Sequence, residues 1–212
     1  MIKFNRIKDC FSDLKNKKKS ALIAFITAGD PDLDTSLKVI NALPAAGVDI
    51  IELGMPFSDP MADGPVIQRS YLRSLKAGNS LDKTLKLVRK FRKNNSKTPI
   101  ILMGYYTPIL QMGIKVFFKK ARYCGVDGVL IVDLPPDSNN EMDIETKEGD
   151  IDIIRLVTPN SDKGRLNTIL KASSGFLYYV SIAGITGTKI NSLEGIKKKY
   201  VYLKTYIKLP FV

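Results

Sequence analysis

Four carboxylates fall within residues 48–66, V-D-I-I-E-L-G-M-P-F-S-D-P-M-A-D-G-P-V, beside prolines 56, 60 and 65. Residues 48–53 are apolar and largely β-branched apart from Asp49 and Glu52. That pattern predicts a buried strand with Glu52 near its carboxyl end and Ile50 on the same face. A carboxylate buried without a partner has its charged form disfavoured, and the raised pKa that results suits proton transfer near neutral pH. Asp59 and Asp63 follow in a loop that the prolines stiffen. Asp59 reads equally as a turn former, whereas Glu52 and Asp63 are the candidate catalytic pair.

The sequence contains no histidine. Imidazole general bases, Ser-His-Asp and Cys-His nucleophiles and His-ligated zinc are therefore excluded, and the chemistry rests on carboxylates, Tyr, Lys or Arg. No predicted strand carries a lysine, which argues against a buried Schiff base. Cys10 and Cys124 are far apart, match no metal or redox spacing, and read as buried free thiols.

These groups need rigid elements to aim them. Residues 21–27 form an apolar run of strand length, and a helix with Leu33, Leu37, Ile40 and Leu43 on one face follows it, capped within residues 30–34. Strand 48–53 completes a βαβ unit and hence a parallel pairing. Ser80 caps a helix carrying Leu81, Leu85, Val88 and Phe91. Strand 99–103, a helix ending at Cys124 and Gly125, strand 126–132, strand 151–157, helix 166–172, strand 176–181 and a poor helix from 193 to about 204 continue the alternation. Ile7, Cys10, Phe11 and Leu14 give an amphipathic N-terminal helix fit to cap a barrel floor. Segment 137–150, with only Met142 and Ile144 as apolar candidates, is expected to be weakly packed. The fold expected is a single-domain α/β (β/α)8 TIM barrel spanning residues 1–212, with its site built from the loops after the strands.

At this point a family resemblance enters. E-L-G-M-P-F-S-D-P-M-A-D-G-P closely resembles the signature of the tryptophan synthase alpha chain family. The likeness extends through A-F-I-T-A-G-D-P (24–31), L-M-G-Y-Y-T-P-I (102–109), G-V-D-G-V-L-I-V-D-L-P-P (125–136) and A-G-I-T-G (183–187). The resemblance implies a lyase of tryptophan biosynthesis that cleaves indole-3-glycerol phosphate to indole and glyceraldehyde 3-phosphate. It implies Glu52 as the acid-base group and Asp63 as acceptor of the indole N–H. Tyr178 would lie near the substrate, Thr186 and Gly187 in a loop that closes over it, and Phe25, Ile67, Met103 and Leu130 in the apolar wall. Pro56, Phe57, Ser58, Asp59, Thr107, Pro108, Ile109 and Pro135 would face a beta chain in an alpha2-beta2 heterotetramer, with Thr107 standing where the family usually has Asn; by themselves these residues read only as exposed, proline-fixed loop. Pyridoxal phosphate is expected only in that partner, and this chain is expected to hold neither cofactor nor metal.

The remaining composition bears on location and partners. At 212 residues, 44% hydrophobic and 25% charged, the chain is that of a globular protein. No apolar run reaches the length of about 20 residues needed to span a bilayer. The N-terminus lacks the apolar core of a signal peptide, so a cytoplasmic location is expected. A net charge of +12 ordinarily suggests nucleic acid. Here the basic residues gather in the helical stretches 3–19, 69–97 and 189–208 without interleaved stacking aromatics, and solvated helix faces are the better reading.

Counting strands gives six, with residues 209–212 beginning a seventh. The resembled family continues with a Gly-rich turn, a helix, an eighth strand and a short helix. The expectation is thus an incomplete, C-terminally truncated barrel, poorly stable and with little or no activity alone. Two readings compete with the lyase: a non-catalytic remnant or docking subunit that only binds the beta chain, and another phosphate-sugar barrel enzyme such as an isomerase.

Overall fold

The computed structural model of the chain describes residues 5–136, Met142, Glu145, 151–180 and 193–212. Strands β1 (Ile23–Thr27), β2 (Ile50–Gly54), β3 (Ile100–Gly104), β4 (Gly128–Ile131) and β5 (Asp152–Ile153) form a parallel sheet in that order. A second parallel pair joins β6 (Arg155–Val157) to β7 (Leu177–Tyr179). β5 and β6 are two halves of the fifth strand expected over 151–157. Ile154 N–H donates to Val129 O at 2.9 Å, while Ser174 N–H donates to Ile153 O at 2.9 Å, so the ladder carries on across the break. Beyond β7, Leu177 N–H donates to Pro210 O at 2.9 Å and Tyr179 N–H to Val212 O at 2.7 Å. Among the described residues the strands therefore make an incomplete parallel barrel of six with a seventh begun, as the apolar runs predicted.

The helices are α1 (Arg6–Asn16), α2 (Leu33–Ala42), α3 (Pro65–Lys76), α4 (Leu81–Arg92), α5 (Tyr106–Met112), α6 (Ile114–Cys124), α7 (Lys163–Lys171) and α8 (Leu193–Lys204). Their starts follow from side-chain caps. Asp32 accepts from Thr35 N–H at 2.7 Å, Ser80 from Lys83 N–H at 3.3 Å and Asp162 from Arg165 N–H at 2.7 Å. α6 stops at Gly125, whose φ of 85° lies in the left-handed region and where a Cβ would meet Arg92 Cγ at 2.9 Å.

Two expectations need correcting. Residues 107–109, read as an exposed proline-fixed loop, lie in α5. Pro108 sits in the first turn, where its missing N–H breaks no helical bond, and Asp133 at the end of β4 accepts from Tyr106 N–H at 2.8 Å. Cys10 is half-buried, whereas Cys124 is buried as expected and both are free. In segment 137–150 only Met142 and Glu145 are described. Both are helical and buried, with Arg122 donating to the Glu145 carboxylate at 3.0 Å; the rest of that segment, Ile144 included, lies outside the described residues.

Strand pleating divides the core in two. Ile51 and Leu53 face outward to helices carrying Leu85, Val88, Phe117 and Phe118, while Ile50 faces inward to meet Ile101, Leu130, Ile154 and Phe176. α1 closes the inner layer from below, as its apolar spacing suggested. Its Ile7 is fully buried in that cluster, and Phe11 packs on Phe176 with ring centroids 5.5 Å apart.

The floor is pinned by one buried carboxylate. Asp127 accepts from Arg6 at 2.7 Å, from Arg92 at 2.5 Å and from Ile100 N–H at 2.7 Å. Burial outweighs these attractions and leaves the Asp127 carboxyl above its ordinary value, while burial likewise lowers Arg92 to about 10. Such a network adds little net stability, but losing one member strands the other charges. Asp127→Ala is expected to destabilise the fold by about 3–5 kcal/mol, read as a lower urea midpoint; a change under about 0.5 kcal/mol, the usual size for a surface site, would remove Asp127 from this role.

Candidate active site

Alternation along β2 places Glu52 on the inner face directly above Ile50, and register pairs it with Phe25 of β1 and Ile101 of β3. Glu52 is 6% exposed. Its carboxyl is pushed up to about 7, chiefly by burial and then by the charge of Asp63. A carboxyl at that value holds or releases a proton with little bias at neutral pH, which is what a general acid-base group needs.

Asp63 reaches the same place from the loop after β2, 3% exposed. The Tyr105 hydroxyl donates to its carboxylate at 2.7 Å and accepts from Ala62 N–H at 3.0 Å, while Gln68 donates to the Asp63 carbonyl at 2.8 Å. Burial raises Asp63 and the Tyr105 hydrogen bond opposes the rise. The two carboxyls thus differ in kind: Asp63 is oriented by a donor, whereas no hydrogen bond reaches the Glu52 carboxyl among the described residues. Such a pairing separates the proton-transfer role from the charge-stabilising one.

The apolar residues expected to line a ring share the inner face with Glu52. Met103, Leu130 and Tyr178 belong to the inner layer and Phe25 pairs with Glu52 on that face, Leu130 buried and the other three half-buried, and burial together with the Glu52 charge raises the Tyr178 hydroxyl. Ile67, on α3, is half-buried. Gly54 is required by a close approach, because a Cβ there would meet Phe25 Cζ at 2.7 Å. Thr186 and Gly187 lie outside the described residues.

The expected partner face is divided. Ser58, Asp59, Thr107 and Pro135 are exposed and Phe57 and Pro108 half-exposed, but Pro56 and Ile109 are buried, packed where no partner would touch them. Tyr105 was missed as a site residue because the aromatic pair in L-M-G-Y-Y follows β3 without any polar spacing to mark it; its place just past a strand's carboxyl end was the available signal. Tyr71 and Gln68 of α3 went unread for the same reason. Among the described residues no three His, Cys, Asp or Glu side chains converge as a metal site, and no helix is long and apolar enough to cross a membrane.

Parallel strands wrapped by helices, with a buried carboxylate pair at the carboxyl ends of the strands, define the class: an α/β barrel with its site in the βα loops. The family model for the tryptophan synthase alpha chain matches residues 11–212, and the chain belongs to that family. The tryptophan synthase alpha subunit of Legionella pneumophila str. Paris is 39% identical with a TM-score of 0.91, over 98% of this chain and 77% of that one. A protein of Aquifex aeolicus VF5 is 34% identical with a TM-score of 0.88, over 98% and 79%. Mycobacterium tuberculosis tryptophan synthase gives 30% identity and a TM-score of 0.89, over 98% and 79%. Membership makes this a lyase-family chain of tryptophan biosynthesis, and the homologues imply a complex with a beta chain.

The raised Glu52 value links ionisation to stability. A carboxyl whose folded value lies above its unfolded one imposes no penalty below the unfolded value of 4.5, and the penalty grows until the pH passes about 7. Glu52→Gln is expected to be more stable than the parent by about 3 kcal/mol at pH 8, with the gain gone by about pH 4.5. Urea titrations at both pH values check this; equal stability at pH 8 would show that Glu52 ionises without penalty.

Proposed function

We propose that this chain cleaves indole-3-glycerol phosphate with Glu52 as the acid-base group and Asp63 as the electrostatic partner. Glu52 gives its proton to indole C3, leaving positive charge on the ring that the Asp63 carboxylate offsets by accepting a hydrogen bond from the indole N–H. The glycerol hydroxyl on the adjoining carbon then passes its proton to the Glu52 carboxylate, its electrons form the aldehyde carbonyl, and the carbon–carbon bond breaks with its electron pair returning to the ring. Indole and glyceraldehyde 3-phosphate result. The observation that carries this reading is the placement of a buried Glu52, without a hydrogen-bond donor among the described residues, beside a tyrosine-oriented Asp63 on one apolar barrel mouth.

Phe25, Met103, Leu130 and Tyr178 would hold the indole ring, and Thr186 and Gly187 would close over it. Ser58, Asp59, Phe57, Thr107, Pro108 and Pro135 would form the face toward a beta chain in an alpha2-beta2 assembly. Pyridoxal phosphate chemistry belongs to that partner, and the pair would work in the cytoplasm.

Indole release from indole-3-glycerol phosphate, measured with and without a beta chain, tests the reading. Glu52→Gln keeps the shape and removes the transferable proton, so cleavage should vanish; activity within about tenfold of the parent, a barrier change of about 1.4 kcal/mol, would refute the role. Asp63→Asn still offers a hydrogen bond but no charge, and should lose about 10²- to 10³-fold in rate. Unchanged kinetics would make Asp63 a purely structural residue.

A further inference from the structure

Tyr71 is among the largest fully buried side chains, 0% exposed, and its hydroxyl has no hydrogen-bond partner among the described residues. Burying a hydroxyl that way costs about 1–3 kcal/mol, so packing alone would favour phenylalanine there. Its position is not accidental. α3 is clamped to the end of β1 on both sides of Tyr71: Ser70 and Thr27 share a hydrogen bond of 2.6 Å, and Ser74 donates to Ala28 O at 2.6 Å. The clamp lays the tyrosine ring against β2, where a Cβ on Gly54 would lie 3.1 Å from Tyr71 Cε1. Gly54 is two residues beyond Glu52, on the same inner face of the strand.

The charges that face this hydroxyl come from three elements. Asp63 lies in the loop after β2, Tyr105 follows β3 and Glu52 stands on β2; together with burial they raise the Tyr71 hydroxyl and keep it protonated as a donor. Glu52 for its part is faced by Asp63 and, from β7, by Tyr178. Among the described residues, a donor without an acceptor therefore stands within electrostatic reach of an acid that no donor reaches.

We propose that Tyr71 is a positioning residue of the cleavage reaction, whose hydroxyl donates a hydrogen bond to the Glu52 carboxylate once Glu52 has released its proton. This deepens the function proposed above and rests on it. While Glu52 is protonated and neutral the bond is dispensable. When the proton passes to indole C3 the new carboxylate is buried and faces Asp63, and a preplaced donor offsets that charge without rearrangement. Tyr105 already gives Asp63 the same service, so each carboxylate has its own tyrosine.

The test reads Glu52 directly, independent of turnover. Carbon-13 NMR of glutamate-labelled chain follows the Glu52 carboxyl through pH, assigned by its disappearance in Glu52→Gln. A hydrogen bond to the charged form lowers a carboxyl's pKa, so its loss raises it. Tyr71→Phe should move the Glu52 midpoint upward by about one pH unit, leave thermal stability equal or higher, and lower kcat about tenfold at constant KM. Tyr71→Met, which lacks the hydroxyl on a flexible apolar chain, should shift the midpoint the same way. An unmoved midpoint overturns the proposal, as does failure of both variants to fold, which would make the hydroxyl a structural group. A shifted midpoint in a chain without cleavage activity upholds the contact and sinks the catalytic reading instead.

Discussion

The removal of the Glu52 carboxyl from water, at the open end of a parallel sheet, is the constraint around which the rest of the structure is arranged. It needs a strand buried on both faces, and β2 is buried at all five positions. It needs neighbours that offer no competing cation, and the groups that perturb Glu52 are burial and another carboxylate, Asp63. Burial that would be a defect in a purely structural residue becomes useful here because it places the proton's release near neutral pH. Glu52 thus carries a stability penalty of its own above its pKa, one the fold must offset elsewhere.

That offset comes from ordinary packing below the site. The inner layer of Ile50, Ile101, Leu130, Ile154 and Phe176, with Ile7 of α1 pressed in from beneath, fills the barrel floor without polar atoms. The polar groups at that end are gathered on Asp127, which holds α1 through Arg6 and α4 through Arg92 while accepting a backbone N–H from β3. Site and floor therefore obey opposite rules. Asp127 is surrounded by donors and fixed, whereas no donor among the described residues reaches Glu52.

Much of this was legible in the residues themselves. Strands buried on both faces read as continuous apolar runs, and the capping residues Asp32 and Ser80 mark helix starts by local chemistry alone, so the order of elements followed without tertiary information. Glu52 stood out because an acid in such a run is costly, and its partner Asp63 because the prolines made its loop a shaped one. α5 was hidden because Pro108 and the short length of the segment favour a loop reading, while its first N–H is satisfied by Asp133 from another strand, a contact with no local signature. Tyr105 and Tyr71 were hidden for a related reason. An aromatic in an apolar or amphipathic run looks like core, and only the fold shows that one hydroxyl ends on Asp63 and the other beside β2.

The pH dependence of kcat/KM for indole release from indole-3-glycerol phosphate, measured with the beta chain present, tests the central claim most directly. If the buried Glu52 carboxyl transfers the proton, the profile contains a group titrating near pH 7, the value to which burial and Asp63 push it. A profile that is flat from about pH 6 to 8, with its acid limb near the ordinary carboxylate value of about 4.3, would contradict the account.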